Sequence, residues 1–374
     1  MFNIQVHTES KRYPVFIGTN ILDRIGPVLK KYVNARVILV VSDSIVAPLY
    51  AGACREALQG VGFSVELAEF QCGERSKSLE AASALYDRAI TTGLSRGDAI
   101  LALGGGVTGD LTGFVAATYL RGIAFIQVPT TLLAMVDSSV GGKVAVNHSR
   151  GKNLIGAFYQ PAAVFADTAL LRTLPEREFI AGLAEVVKCG LIGDQWLFQR
   201  LETLSLGRSK GGSEVLAPSG ILLKKLIARS VMLKRNVVLQ DEKENDLRRV
   251  LNLGHTFGHA LEASTGYDYF LHGEAVAWGM ALAARLSRRL KLLSEENEKR
   301  IIRVVRWLDP PGPPGYLTRD SLVDALQYDK KREQEGLVFV LPVDIGRVIF
   351  YRSPPWDAIQ EALDAFLQEK ILLE

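Results

Sequence analysis

Ala99-Ile100-Leu101-Ala102-Leu103 runs without a break into Gly104-Gly105-Gly106-Val107-Thr108-Gly109-Asp110, and this stretch decides the reading of the fold. A short apolar run that empties into glycines and then into a helical pattern is the strand, turn and helix start of a parallel α/β sheet. Two similar runs flank it. Val37 to Ser42 (VILVVS) reads as a buried strand ending at Asp43, and Ile123 to Val128 as a third that stops at Pro129-Thr130-Thr131. Helical patterns at about 48 to 60 and 78 to 93, the second closed by Gly93, supply the crossovers. Ligands of such sheets sit beyond the carboxyl ends of the strands, where Asp43, the triple glycine and Thr130-Thr131 all fall.

The glycine turn places backbone N–H groups at a helix N-terminus, where a pyrophosphate can be bound. Its spacing is not that of GxGxxG, and a tight strand-to-helix turn needs glycines in any case. Asp43, at the end of an earlier strand, can hold a ribose hydroxyl, and Gly73-Glu74-Arg75-Ser76-Lys77 forms a polar loop beside it. Further on, Asp137-Ser138-Ser139-Val140-Gly141-Gly142-Lys143 and Gly151-Lys152-Asn153 read as a glycine-rich loop with two lysines nine apart, suited to phosphate or carboxylate.

From about residue 176 the periodicity becomes helical, over 178 to 203, 219 to 239, 255 to 265, 273 to 293 and 296 to 307. Gly207 to Gly220 reads as a surface loop, Asp309 to Gly315 is too rich in proline to continue a helix, and Leu337 to Leu341 with Arg347 to Phe350 forms a small hairpin. The expected organisation is an α/β nucleotide-binding domain over 1–175 and a mainly α-helical metal- and substrate-binding domain over 176–374.

The second half carries Leu253-Gly254-His255-Thr256-Phe257-Gly258-His259 and Leu271-His272-Gly273-Glu274, which hold three of the five histidines. His255 and His259, four apart, share one face of a helix, and His272 returns at the next helix start. An i, i+4 histidine pair alone is more often a satisfied helix surface than a ligand set. The metallopeptidase reading is weaker still, because Thr256 stands where the glutamate general base of that pattern would be. Glu185, an acid among apolar residues with Lys188 one turn on, reads either as an ion pair or as a carboxylate ligand beside a working lysine.

The chain has 374 residues, is 48% hydrophobic and 23% charged, and has a formal charge of +3, which gives no nucleic-acid footprint. Cys54, Cys72 and Cys189 form no CxxC pair and suit reduced thiols. The stretch MFNIQVHTESKRYPVFIG alternates like a strand, without a charged segment leading into an apolar one, and there is no run of eighteen apolar residues. We therefore expect a cytoplasmic protein with no membrane and no nucleic-acid partner.

Taken in order, GGGVTGD, FVAATYLRG, VPTTLLAMVDSSVGGK, GKNLIGAFYQP, TLPEREFIAGLAEVVK, LRRVLNLGHTFGHALE, HGEAVAWGM and DKK closely resemble the 3-dehydroquinate synthase branch of the sugar phosphate cyclase family, over roughly residues 36 to 345. The resemblance implies a fold similar to the iron-dependent alcohol dehydrogenases, NAD used and regenerated in each turnover, and one divalent metal, zinc or cobalt, on Glu185, His255 and His272. His259 then lies beside substrate. The implied substrate is a small anionic sugar phosphate, 3-deoxy-D-arabino-heptulosonate 7-phosphate, converted to 3-dehydroquinate and phosphate in the shikimate pathway by oxidation, β-elimination, reduction, ring opening and aldol closure.

By the same resemblance Lys143, Lys188, Lys234, Arg248 and Asn252 meet substrate, with Asp137, Lys152 and Asn153 beside them and Lys330 or Lys331 joining the anion pocket. Arg121 reaches the phosphate of a neighbouring subunit, which implies a homodimer. NAD contacts map to Asp43, Glu74, Lys77, Gly106, Val107, Thr108, Gly109, Asp110, Thr130, Thr131, Lys143, Lys152 and the run Leu170, Leu171, Arg172, Thr173. Two departures, Val144-Ala145 after the GGK and Cys189 where an aromatic is common, remove no ligand or charge. The rivals are a sister cyclase such as an inosose or valiolone synthase, a metal-dependent alcohol or glycerol dehydrogenase, and a metal- or NAD-binding module without activity.

Overall fold

The computed structural model describes residues 1–207, 220–330 and 337–368. Its contacts gather into two units. The first holds Met1–Leu174 and the helix that ends before Lys243; the second begins at Pro175 and resumes at Glu244.

The strands of the first unit are β1 (Phe2–His7), β2 (Arg12–Gly18), β3 (Val37–Asp43), β4 (Ser64–Phe70), β5 (Ala99–Gly104), β6 (Ala124–Pro129), β7 (Lys143–His148), β8 (Gly151–Phe158) and β9 (Ala163–Asp167). Seven of them form one sheet in the order β1-β2-β9-β6-β5-β3-β4, parallel except for β1. β3 as far as Val41 and β5 throughout are apolar because both of their faces are covered. Ile38, Val40, Leu101 and Leu103 face one core with α1 (Ile25–Leu29) and α2 (Gly52–Gln59). Val37, Leu39, Val41, Ile100 and Ala102 face the other, with α3 (Leu79–Thr91) and α4 (Gly106–Thr118). α3 starts where Ser78 accepts a hydrogen bond from Ala81 N at 3.2 Å.

Asp98, at the entry to β5, is 1% exposed and accepts from Arg36 N (3.1 Å), Val37 N (2.8 Å), Ser95 N (2.8 Å) and Ser95 Oγ (2.7 Å). Burial alone would raise its pKa, but the hydrogen bonds from Ser95, Val37 and Arg36 outweigh burial and hold it below the ordinary value. A carboxyl depressed in the folded state contributes stability above its unfolded pKa of about 3.9, and loses it as pH falls through the folded value. Asp98→Ala should therefore cost about 3 kcal/mol at pH 7 by stranding buried donors. The gap to wild type in urea midpoint should close progressively below about pH 4. An undiminished gap at pH 3 would refute this account.

Helices of the second unit are α5 (Glu176–Ile192), α6 (Gln195–Ser205), α8 (His255–Ser264), α9 (His272–Arg289), α10 (Glu295–Trp307), α11 (Arg319–Lys330) and α12 (Trp356–Leu367), with a hairpin of β10 (Val338–Asp344) and β11 (Arg347–Arg352). From Ala275 to Ala284 α9 is apolar all round because it is the buried axle, packed by α5, α8, α10, α12 and β10. The intervening α7 (Ile221–Gln240) belongs with the first unit, against β1, β2 and the turn Ala134–Ser138. The contact division is thus discontinuous in sequence, unlike a single cut near residue 175.

Four expectations need correction. The amino-terminal alternation is two paired strands, turned at Thr8 and Lys11, and not one. The glycine-rich stretch after Gly142 is a β7–β8 hairpin and not a loop. The span 178 to 203 is two helices, interrupted at Gly193 and restarted by Asp194, whose side chain accepts from Leu197 N at 3.3 Å. The span 48 to 60 becomes a regular α-helix only from Gly52, after a wider turn. Residues 208–219 of the expected surface loop lie outside the described residues.

Candidate active site

In the first unit Asp43, Gly104 and Pro129 end three adjacent strands, β3, β5 and β6. α4 begins at Gly106, and its N-cap Gly105 offers no side chain to the first-turn N–H groups of Gly106, Val107 and Thr108, while Gly109 N donates to Gly105 O at 3.0 Å. The turn is cramped as well as open: a Cβ on Gly104 would lie 2.3 Å from Thr108 Oγ1, and one on Gly105 3.1 Å from Thr131 Cγ2. Asp43 accepts from Thr108 Oγ1 at 3.1 Å, which joins the acid to the start of α4. Thr130 donates its N–H to Gly104 O at 3.0 Å, while its buried Oγ1 has no hydrogen-bond partner among the described residues. A glycine cradle, an acid at a strand end and an orphaned hydroxyl fit a dinucleotide.

Lys77, 5% exposed, ties this region together by donating to Asp110 Oδ2 and Asn153 Oδ1, both at 2.5 Å. Burial raises the Asp110 carboxyl above the usual carboxylate range; Lys77 offsets this only in part, and the charge of Glu74 adds to it. Glu74 accepts from Asn147 Nδ2 at 2.7 Å, and Asn147 Oδ1 accepts from Asn153 N at 2.9 Å. Asn153 holds φ +58°, a left-handed conformation that asparagine tolerates. Lys234 on α7 donates to Asp137 O at 2.7 Å and pairs with Asp137 Oδ1 at 2.6 Å. Leu170, Leu171, Arg172 and Thr173 lie in a 3-10 turn, Thr168–Thr173, where Tyr50 Oη meets Thr173 Oγ1 at 2.6 Å. The two lysines of the expected anion loop are not neighbours. Lys143 opens β7 opposite Phe158, while Lys152 lies next to Gly151, which is opposite His148, a separation of about 16 Å along the hairpin. Arg121 is exposed at φ +67° after Leu120 at φ +50°.

In the second unit α5 carries Glu185 and Lys188, an i, i+3 ion pair 1% and 2% exposed. α8 opens on His255 and α9 on His272. Ring centroids lie 5.1 Å apart for His255 and His272 and 5.5 Å for His255 and His259. One donor atom each of Glu185, His255 and His272 falls within 4.8 Å of the others. Two imidazoles and a carboxylate suit zinc or cobalt. His272 Nδ1 stands 3.4 Å from Glu262 Oε2, the carboxylate partner that steadies a ligating imidazole. Burial pulls the His272 pKa down, but the hydrogen bond and charge of Glu262 and the charge of Glu185 outweigh burial and hold it above the ordinary value. The surroundings therefore favour a cation on this imidazole, proton or metal.

His259 and Glu262 form a second group with His272 that meets the same distance criterion. Arg248, 1% exposed, and Asn252 lie in the turn Leu247–Asn252, with Asn252 Nδ2 3.4 Å from Glu244 Oε1. Lys330 ends α11, and Lys331 lies outside the described residues. Glu262 and Glu244 were missed from sequence. The signal for Glu262 was its place seven residues after His255, on the same face of α8.

An α/β unit with a dinucleotide cradle and a helical unit with a glutamate-histidine-histidine cluster are the parts of a metal- and dinucleotide-dependent enzyme. Models of the 3-dehydroquinate synthase N-terminal and C-terminal regions match residues 67–181 and 182–332. The 3-dehydroquinate synthase of Desulforamulus reducens is 49% identical over 354 residues, 94% of this chain and 97% of that protein. This chain belongs to the 3-dehydroquinate synthase family.

Among solved structures, 2-deoxy-scyllo-inosose synthase with carbaglucose-6-phosphate, NAD+ and Co2+ has a TM-score of 0.85 at 30% identity, covering 98% of this chain and 100% of that one. The 2-epi-5-epi-valiolone synthase ValA of Streptomyces hygroscopicus subsp. jinggangensis, with NAD+ and Zn2+ bound, has a TM-score of 0.87 at 29% identity over the same shares. An iron containing alcohol dehydrogenase, at 13% identity and a TM-score of 0.65 over 98% of this chain and 99% of that one, shares the fold alone.

Proposed function

We propose that the protein acts as a 3-dehydroquinate synthase, a phosphate-eliminating lyase of aromatic amino acid biosynthesis. It takes 3-deoxy-D-arabino-heptulosonate 7-phosphate to 3-dehydroquinate and phosphate. The observation that carries the reading is the convergence of Glu185, His255 and His272, in a member of this family, to within 4.8 Å.

Zinc or cobalt held by these three residues would polarise the C5 hydroxyl, and NAD in the first unit would oxidise it transiently and return the electrons. The chain's residues bind, orient and neutralise. Asp43 holds a ribose hydroxyl, and the N–H groups of Gly106, Val107 and Thr108 take the pyrophosphate, with Gly109 beside it, its own N–H held by Gly105 O. Glu74, Lys77, Asp110, Thr130, Thr131, Lys143, Lys152 and the turn Leu170 to Thr173 complete the cofactor's surroundings. In the first unit Lys234, Asp137 and Asn153, and in the second Lys188, Arg248, Asn252, His259 and Lys330 or Lys331, are the residues that the family resemblance assigns to the substrate's carboxylate, hydroxyl and phosphate groups.

Arg121 is assigned to a neighbouring subunit's phosphate, which makes the active form a homodimer. Exposure of this arginine on a left-handed turn supports that role. No helix among the described residues is long and apolar enough to cross a membrane. The free Cys54, Cys72 and Cys189 support our assignment of the protein to the cytoplasm.

The test is phosphate release from 3-deoxy-D-arabino-heptulosonate 7-phosphate with catalytic NAD, with and without a chelator, while absorbance follows NADH. Chelator-sensitive release with no net NADH is expected. Net NADH without phosphate would instead indicate an alcohol dehydrogenase, and silence in both channels would point to a sister cyclase.

A further inference from the structure

We propose that Arg177 and Glu274 are a positioning pair for the metal centre, which neither residue touches; the proposal rests on the metal assignment above. Arg177 lies in the first turn of α5, the helix of Glu185, and Glu274 in the first turn of α9, two residues after His272. Their contact is a fork, with Arg177 Nε donating to Glu274 Oε1 at 2.6 Å and Nη2 to Glu274 Oε2 at 2.8 Å. The same Nη2 donates to Tyr269 O at 3.0 Å, and Glu274 Oε2 also accepts from Leu271 N at 2.8 Å. Four bonds thus tie the start of α5, the chain entering α9 and the turn that presents His272.

What the fork holds shut is an unusually close helix contact. A Cβ on Gly273, next to His272, would lie 2.0 Å from the carbonyl oxygen of Ala181, one turn before Glu185. Backbone meets backbone there, so the spacing of Glu185 and His272 depends on the two helices keeping this register. Only a planar guanidinium serves both carboxylate oxygens at once; a lysine retains the charge and loses the fork. Glu274 is nearly buried, so its oxygens depend on these hydrogen bonds for partners, while Arg177 is half-exposed and can be exchanged without opening the core.

The test titrates zinc into metal-stripped full-length protein against a chromophoric chelator, for wild type, Arg177→Met, Arg177→Lys and Glu274→Gln. Weakening of zinc binding by about 10- to 100-fold is expected for Arg177→Met and Glu274→Gln, with a smaller loss for Arg177→Lys. The NAD dissociation constant should stay unchanged, and at saturating zinc kcat should return to within about twofold of wild type, because neither side chain meets substrate. A purely structural role would lower the melting temperatures of metal-free and zinc-loaded protein equally and leave zinc affinity intact, and that result overturns the proposal. Should Arg177→Met fail to fold, Arg177→Lys carries the same readouts. Wild type that takes up no zinc would overturn the metal assignment and this role together, whereas tight binding in wild type and variants alike overturns the role alone.

Discussion

Glu185→Gln is expected to fold, to bind NAD as wild type does, and to turn over at least about 10³-fold more slowly. Such a loss corresponds to about 4 kcal/mol of transition-state stabilisation, the scale that a Lewis acid supplies at a reacting oxygen. The substitution keeps the size of a 1% exposed side chain and removes only its charge, so packing along α5 persists. Two effects follow. The triad of Glu185, His255 and His272 loses its one anionic member, and Lys188, 2% exposed, loses the carboxylate charge beside it. The first empties the metal site; the second makes the buried ammonium more costly. Lys188→Met in the same chain separates them by metal content and urea midpoint, since it relieves the second and leaves the first; its turnover is no control, because Lys188 is also assigned to substrate. Metal content after dialysis and phosphate release are the measurements. A metal-free Glu185→Gln protein with normal turnover would sink the assignment.

Much of this arrangement was legible in the residues. Continuous apolar strands with a polar or glycine residue at their carboxyl ends marked Asp43, Gly104 and Thr130, because a sheet covered on both faces leaves only strand ends for chemistry. Both histidine helices were expected within a residue of their observed starts, His255 and His272. The hairpin β7–β8 was hidden although Val144 and Val146 alternate and are buried. Glycines and lysines on either side obscure that alternation, and pairing of the strands sets Lys143 and Lys152 toward opposite ends of the hairpin. α11 and α12 were passed over, the one behind a proline-rich stretch and the other behind Pro354-Pro355. Helix starts after proline are common, so that signal was present and unread. The pairs that orient the site were beyond sequence reasoning: Arg177 and Glu274 are far apart in the chain and look like ordinary surface charges until α5 and α9 pack.

Gly279→Ala and Gly52→Ala, the same chemical change, should move stability in opposite directions. Gly52 has φ −59° and ψ −55°, already helical, with nothing within 4 Å of the added methyl. There alanine restricts the unfolded chain at no cost to the folded one, a gain of about 0.5–1 kcal/mol. On α9 the Cβ at Gly279 would lie 1.9 Å from Gly254 O, 2.8 Å from Gly254 C and 3.0 Å from Gly258 N. All three are backbone atoms, so no rotamer can relieve the clash and α8 must shift by roughly 1.5 Å to restore ordinary contact. A shift of that kind costs about 3 kcal/mol, the upper range for overpacking. It also has a chemical consequence, because Gly254, at φ +82°, directly precedes His255. Moving Gly254 moves His255 relative to His272 on α9, and zinc affinity should fall at least about 10-fold in whatever protein remains folded. Urea midpoints of the two variants against wild type, followed by zinc titration of metal-stripped protein, make the comparison. A Gly279→Ala chain as stable as wild type and binding zinc as tightly would mean that α8 and α9 can slide without cost, and that the glycine contact does not set the ligand spacing.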